Sequence, residues 1–69
     1  MKFDIQYEQE EDGRWLAEVM ELPGVLTYGR TLDEAMAKVQ ALALRVLADR
    51  LERGESLPSR LMSISFASA

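Results

Sequence analysis

Between Thr31 and Gly54 the chain carries a helical pattern with more apolar surface than one face of a sheet can cover. Placed at about 100° per residue, Leu32, Ala35, Met36, Val39, Leu42, Ala43, Val46 and Leu47 form one stripe. Ala37, Ala41, Leu44, Ala48 and Leu51 form a second stripe beside it. Only Glu34, Lys38, Arg45, Asp49 and Glu52 make a wedge suited to water. A helix apolar over so much of its girth needs two neighbours. The chain's own sheet supplies one. A second copy or a different protein is expected to supply the other.

Size points the same way. Sixty-nine residues are expected to make a single domain spanning 1–69. A chain this short buries only ~60% of the surface it exposes when unfolded. Such domains lean on a staple or on association. With no cysteine and no histidine, disulfides and the usual structural zinc ligands are excluded. Association is the staple that remains. The lack of cysteine fits a reducing compartment. The opening Met-Lys-Phe-Asp-Ile has an early acid and no long apolar run, unlike a signal peptide. No segment reaches the ~18 apolar residues of a membrane span. The expectation is a cytoplasmic protein with no membrane partner. A net charge of −4 fits plain solubility, also suits a basic protein partner, and disfavours an unspecific grip on nucleic acid.

Ahead of the helix, residues 2–8 alternate, with Phe3, Ile5 and Tyr7 to one face and Lys2, Asp4, Gln6 and Glu8 to the other. Glu10-Glu11-Asp12-Gly13 is a turn whose Asp-Gly pair marks a hairpin. The return strand runs from Arg14 to Met20. It sets Trp15, Ala17 and Val19 with the covered face and leaves Leu16, Glu18 and Met20 on the open one. Pro23-Gly24 breaks the strand, and Val25 to Tyr28 is a third strand that Gly29 ends. Thr31 and Glu34 form a capping box, with Asp33 and Glu34 at the positive end of the helix dipole and Arg50 and Arg53 at the negative end. Gly54 is a C′ residue. Past a linker holding Pro58, residues 60–66 alternate again, with Met62, Ile64 and Phe66 on one face, and 67–69 read as a tail.

The predicted order is β-β-β-α-β, an α+β fold. An antiparallel meander is followed by a crossover helix, and a fourth strand lies parallel to the first. The sheet order is 3-2-1-4 with the helix on one face. A helix of 22 residues reaches ~33 Å against ~23 Å for a seven-residue strand, so its last two turns should overhang the sheet. Arg50 falls within the first stripe, where an underlying sheet would bury its charge.

Catalytic chemistry finds no foothold. There is no histidine to serve as general base, no cysteine nucleophile and no Gly-rich phosphate loop. Asp4 and Glu18 fall on adjacent strands of the open face, where two acids could bind Mg²⁺ for phosphoryl chemistry, but the pair reads better as two ordinary surface acids. Phe3, Trp15 and Phe66 suit the core, and Tyr28 beside Leu26 suits an interface. The expectation is a protein that is not an enzyme, without metal, cofactor or catalytic residues.

Asp12-Gly13-Arg14-Trp15, Leu22-Pro23-Gly24 and Gly29-Arg30-Thr31 with Glu34-Ala35 together resemble the N-terminal domain of the HicB-like antitoxin family. The resemblance covers nearly the whole chain. It implies a partial ribonuclease-H-like domain that self-associates and that blocks a small basic HicA-like toxin, an mRNA-cleaving ribonuclease. Many members add a C-terminal DNA-binding domain. This chain is expected to be a stand-alone form without it, with no direct DNA binding. Two positions depart from the family pattern: Arg30 stands where an aspartate is frequent, and Val25 where a cysteine is.

The expected function is therefore a non-enzymatic protein-binding module of antitoxin type, a homodimer or dimer of dimers. Its self-association candidates are Ala37, Ala41, Leu44, Ala48 and Leu51. Its partner-contact candidates are Leu16, Glu18, Met20, Leu26 and Tyr28. The alternatives are a stand-alone oligomer with a nucleic-acid-linked role and a metal-dependent ribonuclease-H-like nuclease.

Overall fold

The computed structural model describes residues 2–54 and 64–68. Four strands and one helix follow in the order β1 (Lys2–Gln9), β2 (Trp15–Val19), β3 (Leu26–Gly29), α1 (Leu32–Glu52) and β4 (Ser65–Ser68). The sheet order is β3-β2-β1-β4. β1 pairs antiparallel with β2 and parallel with β4, while β2 pairs antiparallel with β3. This is the α+β arrangement expected from the residue pattern.

The hairpin between β1 and β2 closes through Glu10 N–H to the Arg14 carbonyl at 2.7 Å. Gly13 takes φ +91° there, a region open to glycine. Arg14 N–H donates to Asp12 Oδ1 at 3.0 Å, which fixes the turn from a side chain. The second turn does more than connect. Leu22 and Val25 are buried and join the core, although the pattern placed Leu22 in a plain turn. Val19 N–H reaches the Val25 carbonyl at 3.0 Å, so the turn folds back on the end of β2.

One face of the sheet meets α1. Phe3, Ile5, Ala17 and Val19 from the strands pack with Ala35, Val39, Ala43 and Leu47, the centre line of the first helical stripe. The helix lies over β2 and β3. Tyr7 shares the covered side but stands beyond the helix, 39% exposed, with its ring 6.2 Å from that of Trp15. On the other flank Phe66 of β4 stacks on Phe3 at 5.7 Å and extends the core.

The helix begins as its cap demands. The Thr31 hydroxyl accepts from Glu34 N–H at 3.1 Å. The Glu34 carboxylate accepts from Arg30 N–H at 3.3 Å, one residue upstream of the amide an ideal capping box uses. Gly29 lets β3 approach the first turn: a Cβ there would stand 2.5 Å from the Ala35 nitrogen. Thr27 Oγ1, nearby, donates to the Ala35 carbonyl at 3.1 Å. At the far end Gly54, at φ +74°, donates to the Leu51 carbonyl and closes the helix.

One sequence expectation is corrected. The fourth strand occupies Ser65–Ser68, so Ala67 and Ser68, read as a tail, join its ladder with Lys2–Ile5. Ile64 precedes the strand and is exposed, and the expected start at residues 60–63, Met62 included, lies outside the described residues. The parallel register puts Phe66 opposite Phe3, and this pairing fixes the shift. The overhang of α1 is present in one respect: no residue beyond Leu47 is buried among those described, and Arg50 is half-exposed.

Candidate functional site

Two surfaces are left uncovered after the core is built. The first is the outer stripe of α1. Ala37, Ala41, Leu44, Ala48 and Leu51 are all exposed, Leu44 at 46% and Leu51 at 54%. They follow one another at three- and four-residue spacing and so share a face. The alanines offer little side-chain bulk, which suits close approach of another helix. The stripe keeps helical propensity high while presenting two leucines to water.

The second surface is the open face of the sheet. Register sets its side chains in rows across the strands. Glu8, Leu16 and Tyr28 form one row, and Gln6, Glu18 and Leu26 the next. Met20 follows beside Asp4, whose carbonyl accepts from Met20 N–H at 3.0 Å. Met20, Leu26 and Tyr28 are exposed, while Leu16 and Glu18 are half-buried. All five partner-contact candidates thus stand on one face, as the alternation requires. Acids fringe them: Asp4 and Glu8 on β1, and Glu21, whose carboxylate accepts from Asp4 N–H at 2.8 Å. A shallow hollow of about 150 Å³ lies where Gln6, Glu8, Leu16 and Glu18 meet.

At the β3 edge the charge reverses. Arg14 lays its guanidinium 4.5 Å over the Tyr28 ring. Lys38 reaches toward the Tyr28 carbonyl at 3.5 Å, and a second hollow is lined by Arg14, Tyr28, Arg30, Glu34 and Lys38. Two of these cations already have carboxylate partners: Arg14 with Asp12 at 2.7 Å and Lys38 with Glu34 at 3.2 Å. The amide of Arg14 and then its guanidinium hold the Asp12 carboxyl below the usual carboxylate range. The Lys38 ammonium, then the Arg30 amide, do the same to Glu34. The Arg14–Tyr28 stack was not legible in the residue pattern, because it joins the β1–β2 turn to β3 through the cross-strand register.

The two acids considered for metal chemistry do not face each other. Asp4 is level with Met20, and Glu18 is opposite Gln6. Among the described residues no group of three or more acids comes together to hold a metal ion. None of the described helices is long and apolar enough to cross a membrane.

No family model matches the chain. A UPF0150 protein of Archaeoglobus fulgidus is 35% identical over 66 residues, covering 93% of this chain and 96% of the relative. The crystal structure of the N-terminal domain of Burkholderia pseudomallei antitoxin HicB is similar at a TM-score of 0.77 and 21% identity. The match covers 88% of this chain and 72% of that one. The resemblance read from Asp12-Gly13 through Ala35 is borne out, and the fold is the one it implied. The chain is a member of the UPF0150 family, built on the fold of the HicB antitoxin N-terminal domain.

Proposed function

We propose that this chain is a non-enzymatic binding module of antitoxin type, working in the cytoplasm. It self-associates through the outer stripe of α1 and holds a small basic protein, an mRNA-cleaving toxin, against its open sheet face. One observation carries the reading: the domain leaves apolar side chains uncovered on two opposite sides, and on the sheet side acids fringe them along β1 and at Glu21. Acids that fringe an apolar patch steer a basic partner toward it and reject acidic ones. The shared fold with an antitoxin domain supports the same assignment.

The test begins with the neighbouring reading frame. A short basic product there should arrest growth and cleave mRNA when expressed alone, and lose both activities when this chain is expressed with it. Met20→Lys and Leu26→Lys together should abolish that protection while leaving the domain folded, since both side chains project into solvent. Cleavage that continues unchanged beside the folded wild-type chain would overturn the toxin reading.

A further inference from the structure

Glu18 stands in the middle of the open face, not at its rim. Leu16 on β2 and Met20 just past its end flank it, Leu26 lies opposite on β3, and Gln6 lies opposite on β1. It is half-buried before any partner arrives. The ion pairs formed among the described residues engage Asp12, Glu34 and Asp49, and Glu18 belongs to none of them. Whatever covers Leu16, Met20 and Leu26 therefore covers this carboxylate too. Leaving it buried and unpaired costs more than burying a neighbouring leucine returns.

We infer that the occupant of this face is a protein segment carrying an arginine at the centre of its own apolar contact, seated on the Glu18 carboxylate. This rests on the reading above that the face holds a basic protein, and it names the group that makes the hold specific. The hollow between Gln6, Glu8, Leu16 and Glu18 gives the side chain a place to lie, with its aliphatic stem along Leu16. A guanidinium matches a carboxylate through two parallel hydrogen bonds, a fit that a lysine ammonium lacks. A second copy stacked about a two-fold axis through Glu18 would set that carboxylate against its own counterpart, with Asp4 and Glu8 of both copies around them. A different protein is therefore the better occupant of the sheet face.

The probe is the pentapeptide acetyl-Val-Leu-Arg-Leu-Val-amide, with citrulline replacing arginine in a neutral counterpart. Each is titrated into ¹⁵N-labelled protein and followed by amide shifts. The arginine peptide should move Leu16, Glu18 and Met20 and bind about tenfold tighter than the citrulline peptide, the weight of one charge-assisted contact. Glu18→Gln should erase the preference, while Glu11→Gln, which removes equal charge from the turn, should keep it. Equal binding of both peptides on the face would overturn the arginine seat and leave the binding reading intact. Equal loss of preference in Glu11→Gln and Glu18→Gln would reduce the effect to net charge and also overturn the seat. Shifts confined to Leu44 and Leu51, or none at all with either peptide, would remove the sheet face as a docking surface and the reading with it.

Discussion

Replacing Leu44 and Leu51 together by glutamine leaves helix propensity nearly unchanged and removes only what the two leucines project outward. Complete burial of a leucine contributes about 1.5–3 kcal/mol. In the isolated protomer Leu44 is 46% exposed and Leu51 54%, so roughly half of that gain is still available at each position. Two leucines from each of two copies make the apolar part of the association worth about 3–6 kcal/mol. The dimer dissociation constant should therefore rise by about 10²- to 10⁴-fold in the double variant. Sedimentation equilibrium from about 1 μM to about 1 mM follows the loss of dimer. Circular dichroism on the same samples reports whether the protomer stays folded, which separates weaker association from lost structure. A wild-type chain that sediments as a folded monomer throughout would refute the reasoning, and so would a double variant whose constant moves less than tenfold.

Gly29→Ala should lower stability by about 1–3 kcal/mol, because the new methyl meets backbone at the Ala35 nitrogen, 2.5 Å away, and only a shift of β3 against α1 makes room. For a domain of this size each kcal/mol lowers the melting temperature by about 4–8 °C, and a melt unchanged within 2 °C or so would contradict the close approach. Glu34 has its carboxyl lowered by Lys38 and the Arg30 amide, so its contribution is present above the usual glutamate range and is lost as pH falls through the lowered value. Glu34→Gln should flatten the acid side of the stability–pH curve, and a variant whose acid limb superimposes on the wild-type limb would show that the cap carries no linked proton.

Alternation and turn residues carried most of the fold. Phe3 and Ile5 against Lys2 and Asp4 fixed the covered face of β1, and Asp12-Gly13 fixed the hairpin, because both signals are local. Leu22 and Val25 were harder. They lie in a Pro-Gly turn, and their burial depends on that turn folding over the end of β2. The late position of β4 was illegible for a related reason. That Ala67 and Ser68 join its ladder follows only from the register that sets Phe66 opposite Phe3. On the candidate site, the exposed stripe of α1 was readable from helical period alone. The isolation of Glu18 was not, since it needs the cross-strand neighbours Gln6 and Leu26, which only register supplies. Gly29 looked like a strand terminator, and its role in admitting the helix backbone appears only in three dimensions.

The strand that opens the chain ends up inside the sheet, between β2 and a strand from the last residues described. A ribosome emits these two partners far apart in time. At ~5–20 residues per second, roughly 3–12 s pass between synthesis of Gln9 and of Ser68. Until β4 docks, β1 keeps one row of amides and carbonyls unpaired beside Phe3, even once the meander has formed. Newborn copies on neighbouring ribosomes would meet through that raw edge before their own β4 arrives. A delay between synthesis of β1 and of β4 therefore carries a cost in strand-swapped or aggregated product.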